Sequence, residues 1–155
     1  MDITRAVTAR TLTVACLVAL FAGSACNNGS STPVVAPSAT ITTTLPAAGP
    51  GTIQVGGSDF QSFTTTATGE VDVTLTSCGP PPTIFVGLGL GTVSADNSTC
   101  TVSSISTGPL AVQAQAGTSP QLPPVTAVPG TYCVIVADIG NASVPLTYSV
   151  TVVHH

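Results

Sequence analysis

The sequence predicts an all-β domain, a sandwich or a barrel, that follows an export signal. Polar and apolar residues alternate with a period of two, β-branched residues are abundant, and turn-forming residues recur about every 8–12 residues. After the N-terminal segment no stretch shows the 3.6-residue period of an amphipathic helix. We expect residues 51–155 to form one domain, which is long enough to bury a single core.

The clearest strand pair closes the chain, from Gly130 to Val153. Tyr132 and Tyr148 both fall on the apolar parity of their strands, so both side chains are expected to face the core. A stretch with several prolines, residues 121–128, is expected to be an edge strand or an irregular loop, since proline donates no ladder hydrogen bond. The candidate strands are residues 52–55, 59–66, 70–77, 83–90, 100–105, 110–115, 131–137 and 146–153.

The N-terminal residues 1–25 have the features of a lipoprotein signal peptide. Arg5 and Arg10 precede an apolar run of about 13 residues, which is shorter than the roughly 20 that a membrane span requires. Gly23-Ser24-Ala25-Cys26 resembles the bacterial lipobox, in which the Cys is acylated and becomes the new N-terminus. Gly23 departs from the commonest pattern, which has Leu there. The alternative is ordinary cleavage near Ala25, which would leave Cys26 as a spare thiol.

Residues 26–50 predict a flexible tether. They are rich in Ser, Thr, Ala and Pro and carry no charge, so they bury too little apolar surface to offset the entropy of ordering. As a coil they would reach about 25–30 Å. Asn27, directly after the Cys, resembles lipoproteins sorted to the outer membrane. We therefore expect an exported cell-envelope protein with its lipid anchor in that membrane.

After the signal segment the chain contains no Lys and no Arg. Nucleic acid is excluded as a partner, because binding to phosphates depends on cationic side chains. The chain also lacks a polybasic membrane-binding patch, so the N-terminal lipid is the expected contact with the membrane. Stability must come from apolar burial, the hydrogen-bond ladder and any disulfide.

The candidate chemistry is sparse. The histidines, His154 and His155, are the last two residues, where we expect them to fray and to point to opposite faces of a strand. No nucleophile motif accompanies them, so the sequence predicts neither catalytic residues nor a histidine metal site. Glu70 and Asp72 share the outward face of one strand, which makes calcium an alternative ligand. No other cofactor is expected.

One candidate ligand surface lies on the strand that contains Phe85, Gly87 and Gly89. All three fall on its outward parity, which predicts a flat, bare stripe on which a glycan or another strand can lie. The alternative is that a neighbouring strand or loop packs over the glycines.

Several of these segments together resemble a known family. The stretches DFQSFTTTATGEVDVTLTS, IFVGLGLG, VPGTYCVIVADIGN and PLTYSVTVVHH are similar to the bacterial pre-peptidase C-terminal domain. They are more similar still to small envelope lipoproteins of Acidobacteria-like soil bacteria that carry one such domain behind a lipobox. The resemblance implies a jelly-roll-like antiparallel sandwich without catalytic residues.

From the residues and the resemblance together we expect a non-catalytic envelope lipoprotein for structural, adhesive or protein–protein contact, its partner an envelope protein or a glycan. The alternative is a calcium- or carbohydrate-binding module.

Three cysteines fall in the predicted domain, so three pairings are open. An exported protein meets oxidising conditions, which favours one disulfide. Cys133 lies on the parity opposite Tyr132, outside the main core. In the resembling lipoproteins a Cys is frequent at the position of Cys100, whereas an apolar residue is usual at that of Cys78. We therefore predict a Cys100–Cys133 bond and an odd thiol at Cys78.

Overall fold

Ten strands in two antiparallel sheets form the part of the chain that the computed structural model describes, residues 39–102 and 110–155. The first sheet has the strand order β1-β10-β4-β8, with β2 also paired to β10, and the second has the order β3-β9-β5-β6, with β7 also paired to β5. The predicted all-β antiparallel sandwich is confirmed. The strands are β1 Ile41–Leu45, β2 Gly51–Ile53, β3 Ser58–Thr65, β4 Gly69–Gly79, β5 Val86–Val93, β6 Cys100–Thr101, β7 Ala111–Ala114, β8 Val125–Ala127, β9 Gly130–Ala137 and β10 Leu146–His154.

The core lies between the two sheets and is built from alternate residues of their strands. In β4, Val71, Val73 and Leu75 are at most 2% exposed, whereas the residues between them are partly exposed. Both tyrosines that the sequence directs inward are buried, with Tyr148 1% and Tyr132 8% exposed. The parity predicted for the closing strand pair is therefore confirmed.

Tyr148 also links the two sheets. Its hydroxyl group donates a 2.8 Å hydrogen bond to Oδ2 of Asp59, which lies in β3 of the opposite sheet. Burial raises the pKa of Tyr148, and the carboxylate of Asp59 raises it further, so the phenol keeps the proton that it donates. Gly51 lies opposite Tyr148 in the register of β2 and β10, and a Cβ there would overlap the tyrosine ring. The ring therefore requires glycine at this position.

The domain boundary predicted at residue 50 is wrong, because β1 belongs to the first sheet. Residues 41–45 pair with residues 150–154 of β10 in unbroken register, and Leu45 is only 5% exposed. Ile41 and Leu45 flank three threonines, so the segment shows little hydrophobic alternation. It is held instead by the backbone groups along the free edge of β10, which need ladder partners. The predicted signal peptide, Cys26 and the remainder of the predicted tether, up to residue 38, lie outside the described residues.

The fraying predicted for the C-terminal histidines is also wrong. His154 ends β10 with 3% exposure; its Nε2 lies 3.1 Å from Oγ1 of Thr43, and its ring centroid lies 5.2 Å from that of Phe63. The backbone carbonyl of His155 accepts a 3.0 Å hydrogen bond from the N–H of Thr66. The chain end is thus fixed to β1 and to the residues that follow β3.

Other strand bounds differ only locally from those predicted. β5 begins at Val86 rather than at residue 83, and the proline-interrupted stretch 121–128 contains the short strand β8, paired with β4. The strand predicted for residues 100–105 is described only as Cys100–Thr101, since residues 103–109 lie outside the described ranges. Within residues 39–102 and 110–155 there is no helix of the length and apolarity needed to cross a membrane.

We expect Tyr148→Ala to lower the free energy of unfolding by about 3–5 kcal/mol, because it truncates a buried aromatic ring in β10, the strand that pairs with β1, β2 and β4. Urea denaturation of the purified domain measures the change. Thr52→Ser, at an exposed position of β2, serves as the control and should change stability by less than about 0.5 kcal/mol. A loss below about 1 kcal/mol for Tyr148→Ala would contradict the packing described for this ring.

Candidate functional site

Three loops converge at one end of the sandwich, here called the loop end: residues 54–57, 80–85 and 138–145. The register shows this directly, because Ile53 of β2 pairs with Leu146, the first residue of β10, and Gly79 of β4 pairs with Thr147. The opposite end, here called the entry end, is where the preceding chain reaches β1, since Ile41 pairs with His154. The loop end and the entry end thus lie at opposite ends of β10.

Asp138 organises the loop end. Its Oδ2 accepts a 2.7 Å hydrogen bond from the backbone N–H of Gly56, and its Oδ1 accepts hydrogen bonds from the N–H groups of Gly140, Asn141 and Ala142 at 3.0–3.1 Å. The Gly56 N–H, together with those weaker donors, lowers the pKa of Asp138. The carboxylate therefore holds two loops together in its ionised form.

The loop end exposes apolar side chains. Val55, Phe85, Ile139 and Val144 are 42–52% exposed and belong to the three loops, which accounts for four of the seven large apolar side chains exposed in the described part of the chain. Asn141 Nδ2 donates a 3.0 Å hydrogen bond to the carbonyl of Phe85, which joins the second and third loops. An end with fixed loops and exposed apolar tips is suited to contact with another surface.

The prediction of a bare glycine stripe beside Phe85, open to a ligand or another strand, is wrong. A Cβ at Gly89 would lie 3.0 Å from side-chain carbons of both Ile135 and Val102, so neighbouring residues already cover this glycine. At Gly87 a Cβ would contact Ile139. The alternative, in which neighbours pack over the glycines, is the one observed. Of the predicted surface, Phe85 remains exposed, and it belongs to the loop end.

The predicted disulfide is confirmed. Cys100 and Cys133 are joined with their Cα atoms 5.9 Å apart and a sequence separation of 33, which ties β6 to β9 in the second sheet. Closing a loop of that length contributes roughly 3.5–4 kcal/mol by the chain-entropy relation. Gly91 permits the close approach, because a Cβ there would collide with the backbone of Thr101. Among the three cysteines of the described residues, Cys78 is the free thiol, and burial raises its pKa.

The carboxylates that could have served calcium are dispersed. Asp59 accepts the hydrogen bond from Tyr148, and Asp96 lies in a separate turn, where hydrogen bonds from Ser94 and Ser98 lower its pKa to about 2. Glu70 and Asp72 do share the partly exposed outer face of β4. Across residues 39–102 and 110–155, no group of three or more His, Cys, Asp or Glu side chains is arranged to hold a metal ion.

The sequence alone missed two of these features. The partner of Tyr148 was not foreseen, because Asp59 is 89 residues away and no local pattern joins the two residues. The loop end was also missed, since its four exposed apolar residues are spread over three loops that are far apart in the sequence. The only sequence signal for it was Asp138 followed by Gly140 and Asn141, which indicates a turn but not its neighbours.

We expect Asp138→Ala to accelerate amide hydrogen exchange at Gly56 and Ala142, because both N–H groups lose their acceptor. Glu70→Gln, which removes an exposed carboxylate from β4, is the control and should leave both amides unchanged. Because the pKa of Asp138 is lower in the folded state than in the unfolded state, its ionised carboxylate stabilises the fold at pH values above the unfolded-state pKa. This stabilisation is lost as the pH falls through the folded-state pKa. The Asp138 carboxyl should therefore titrate below the roughly 3.9 of a free Asp in an NMR pH series. Unchanged exchange in Asp138→Ala, or a titration at or above the free value, would contradict this role.

The comparisons with known proteins give no relative: no family model matches the chain, and no curated protein matches it. The similarity to pre-peptidase C-terminal domains therefore stays a prediction.

Proposed function

We propose that the chain is an exported bacterial cell-envelope lipoprotein, anchored in the outer membrane by a lipid on Cys26, whose non-catalytic sandwich makes contact with another envelope protein. The lipobox-like Gly23–Cys26 segment supports the anchor. The Cys100–Cys133 bond supports export, because disulfides persist in oxidising compartments outside the cytoplasm.

The observation that carries this proposal is the placement of the two ends of the sandwich. The chain that leads from Cys26 reaches the fold at Ile41, at the entry end. The loop end lies at the opposite end of β10 from this attachment point, with its apolar tips available to a partner. The partner surface is expected to be largely apolar, because the loop end offers Val55, Phe85 and Ile139 and no cation.

A contact role also agrees with the state of the functional groups. Asp138 is engaged by backbone N–H groups, and His154 is buried with its ring against Phe63 and its Nε2 3.1 Å from the hydroxyl oxygen of Thr43. Asp59 is bonded to Tyr148. These side chains stabilise the fold and the loop geometry. We expect this of a rigid domain that binds a partner through its surface.

Photo-crosslinking in intact cells tests the proposal. A photo-reactive residue in place of Ile139, at the loop end, should give a discrete adduct with one envelope protein, identified by mass spectrometry. The same residue in place of Val128, which is 59% exposed at the entry end, is the matched control and should give little or none. The wild-type protein should partition into detergent, and Cys26→Ser should abolish this.

Two results would overturn the proposal. Partitioning of the wild-type protein into the aqueous phase would contradict the lipid anchor. Equal adducts at both positions, or none at either, would contradict the loop end as the contact surface.

A further inference from the structure

A groove of about 500 Å³ crosses the outer face of the first sheet, away from the loop end and the disulfide. Its floor is formed by outward residues of β4 and β10, and its wall by the segment 117–120. We call it the threonine groove. Its lining includes Asp72, Thr74, Thr118, Pro120, Thr151 and Val153. The volume lies within the range of about 300–1,000 Å³ that is typical of ligand sites.

The wall of the threonine groove is fixed rather than loose. The N–H of Gly117 donates a 2.9 Å hydrogen bond to the carbonyl of Leu75, and the N–H of Gln121 donates a 3.1 Å bond to the carbonyl of Val73. The side chain of Gln121 also accepts a 2.8 Å bond from the N–H of Leu75. The segment therefore occupies the edge of β4, and Thr118 and Pro120 stand beside the floor in a defined position.

Most polar side chains of the groove are not used within the fold. Thr76 is an exception, since its hydroxyl group donates a 3.1 Å hydrogen bond to the carbonyl of Ser149. The side chains of Asp72, Thr74 and Thr151 are partly exposed and make no hydrogen bond to any described residue, in contrast to Asp59, Asp96 and Asp138. Thr74 and Thr151 are directly opposite each other in the register of β4 and β10, and Asp72 lies two residues from Thr74 on the same face of β4. The groove thus offers one anionic group and two neighbouring hydroxyl oxygens as acceptors.

The charge of the groove selects its ligand. The described residues contain no Lys and no Arg, so neither kind of cation is present in the domain to pair with Asp72. An anionic ligand would meet a like charge, which disfavours binding. A primary ammonium group would find the carboxylate and the hydroxyl oxygens together, the acceptors that an ammonium with three donors requires.

The apolar part of the lining selects further. The ring of Pro120, the side chain of Val153 and the methyl groups of the threonines suit a chain of methylene groups rather than a compact ion. Lysine combines such a stem with a terminal ammonium group, and it commonly packs the stem on apolar surface. We propose that the threonine groove binds a lysine side chain on an extended segment of a partner protein. This inference is independent of the anchor and of the loop end.

The test is an NMR titration of the folded protein, in buffer of about 0.15 M salt, with the peptide acetyl-Gly-Lys-Gly-amide. We expect saturable shifts confined to the residues that line the groove. The same peptide with norleucine in place of lysine keeps the stem and lacks the charge, and it should cause no such shifts. Asp72→Asn should weaken binding about tenfold, or about 1.4 kcal/mol.

Glu70→Gln is the matched control. It removes the same charge from the same outer face of β4 without touching the groove, and it should leave the affinity unchanged. Equal weakening by Asp72→Asn and Glu70→Gln would indicate unspecific charge attraction, and equal binding of the norleucine peptide would indicate an apolar site. Either result, or the absence of localised shifts, would overturn the proposal. Tighter binding of glucosamine than of the lysine peptide would instead assign the groove to amino sugars and likewise overturn it. Amide spectra of each variant establish that it is folded.

Discussion

Strand β10 is hydrogen-bonded along both of its edges, and the rest of the fold depends on this. One edge pairs with β1 and β2, and the other pairs with β4 over residues 147–153. Its inward residues include Tyr148, which is bonded to the opposite sheet, and His154, which is packed on Phe63. Because β1 covers the last half of this strand, the chain enters the sandwich at one end and leaves the loops exposed at the other.

The second constraint is the lack of cations. Of the six acidic residues all but Asp2 lie in the described part of the chain, where no Lys or Arg is present to pair with them. Three are satisfied by other donors: Asp138 by backbone N–H groups, Asp96 by Ser94 and Ser98, and Asp59 by a phenol. Glu70 and Asp72 remain on the outer face of β4, and of these Asp72 lies in the threonine groove. Because Lys and Arg are lacking, stability depends on apolar burial, the hydrogen-bond ladder and the disulfide. For the same reason the carboxylate of Asp72 is available to a partner.

Much of the sandwich was predictable because its strands alternate. Tyr132 and Tyr148 were directed inward by parity alone, and the Cys100–Cys133 bond was identified through the resemblance rather than through spacing. Where alternation is weak, prediction failed: the threonines of β1 suggested a tether, and the terminal histidines suggested a frayed end. The threonines of β1 and the histidines at the end of β10 are held because these two strands pair with each other. They are far apart in the sequence, so local patterns do not predict the pairing. The stripe at Gly89 failed for a related reason, since Ile135 and Val102 reach it from elsewhere in the chain.

The position of β1 tests this account most directly, because it places the entry end at the opposite end of β10 from the loop end. Residue-resolved amide hydrogen exchange of the folded protein measures that position. The hydrogen-bonded amides of Ile41–Leu45 should exchange at least about 100-fold more slowly than in an unstructured chain. Unprotected exchange throughout residues 41–45, while β2, β4 and β10 remain protected, would show that this segment is part of a flexible tether and would contradict the account.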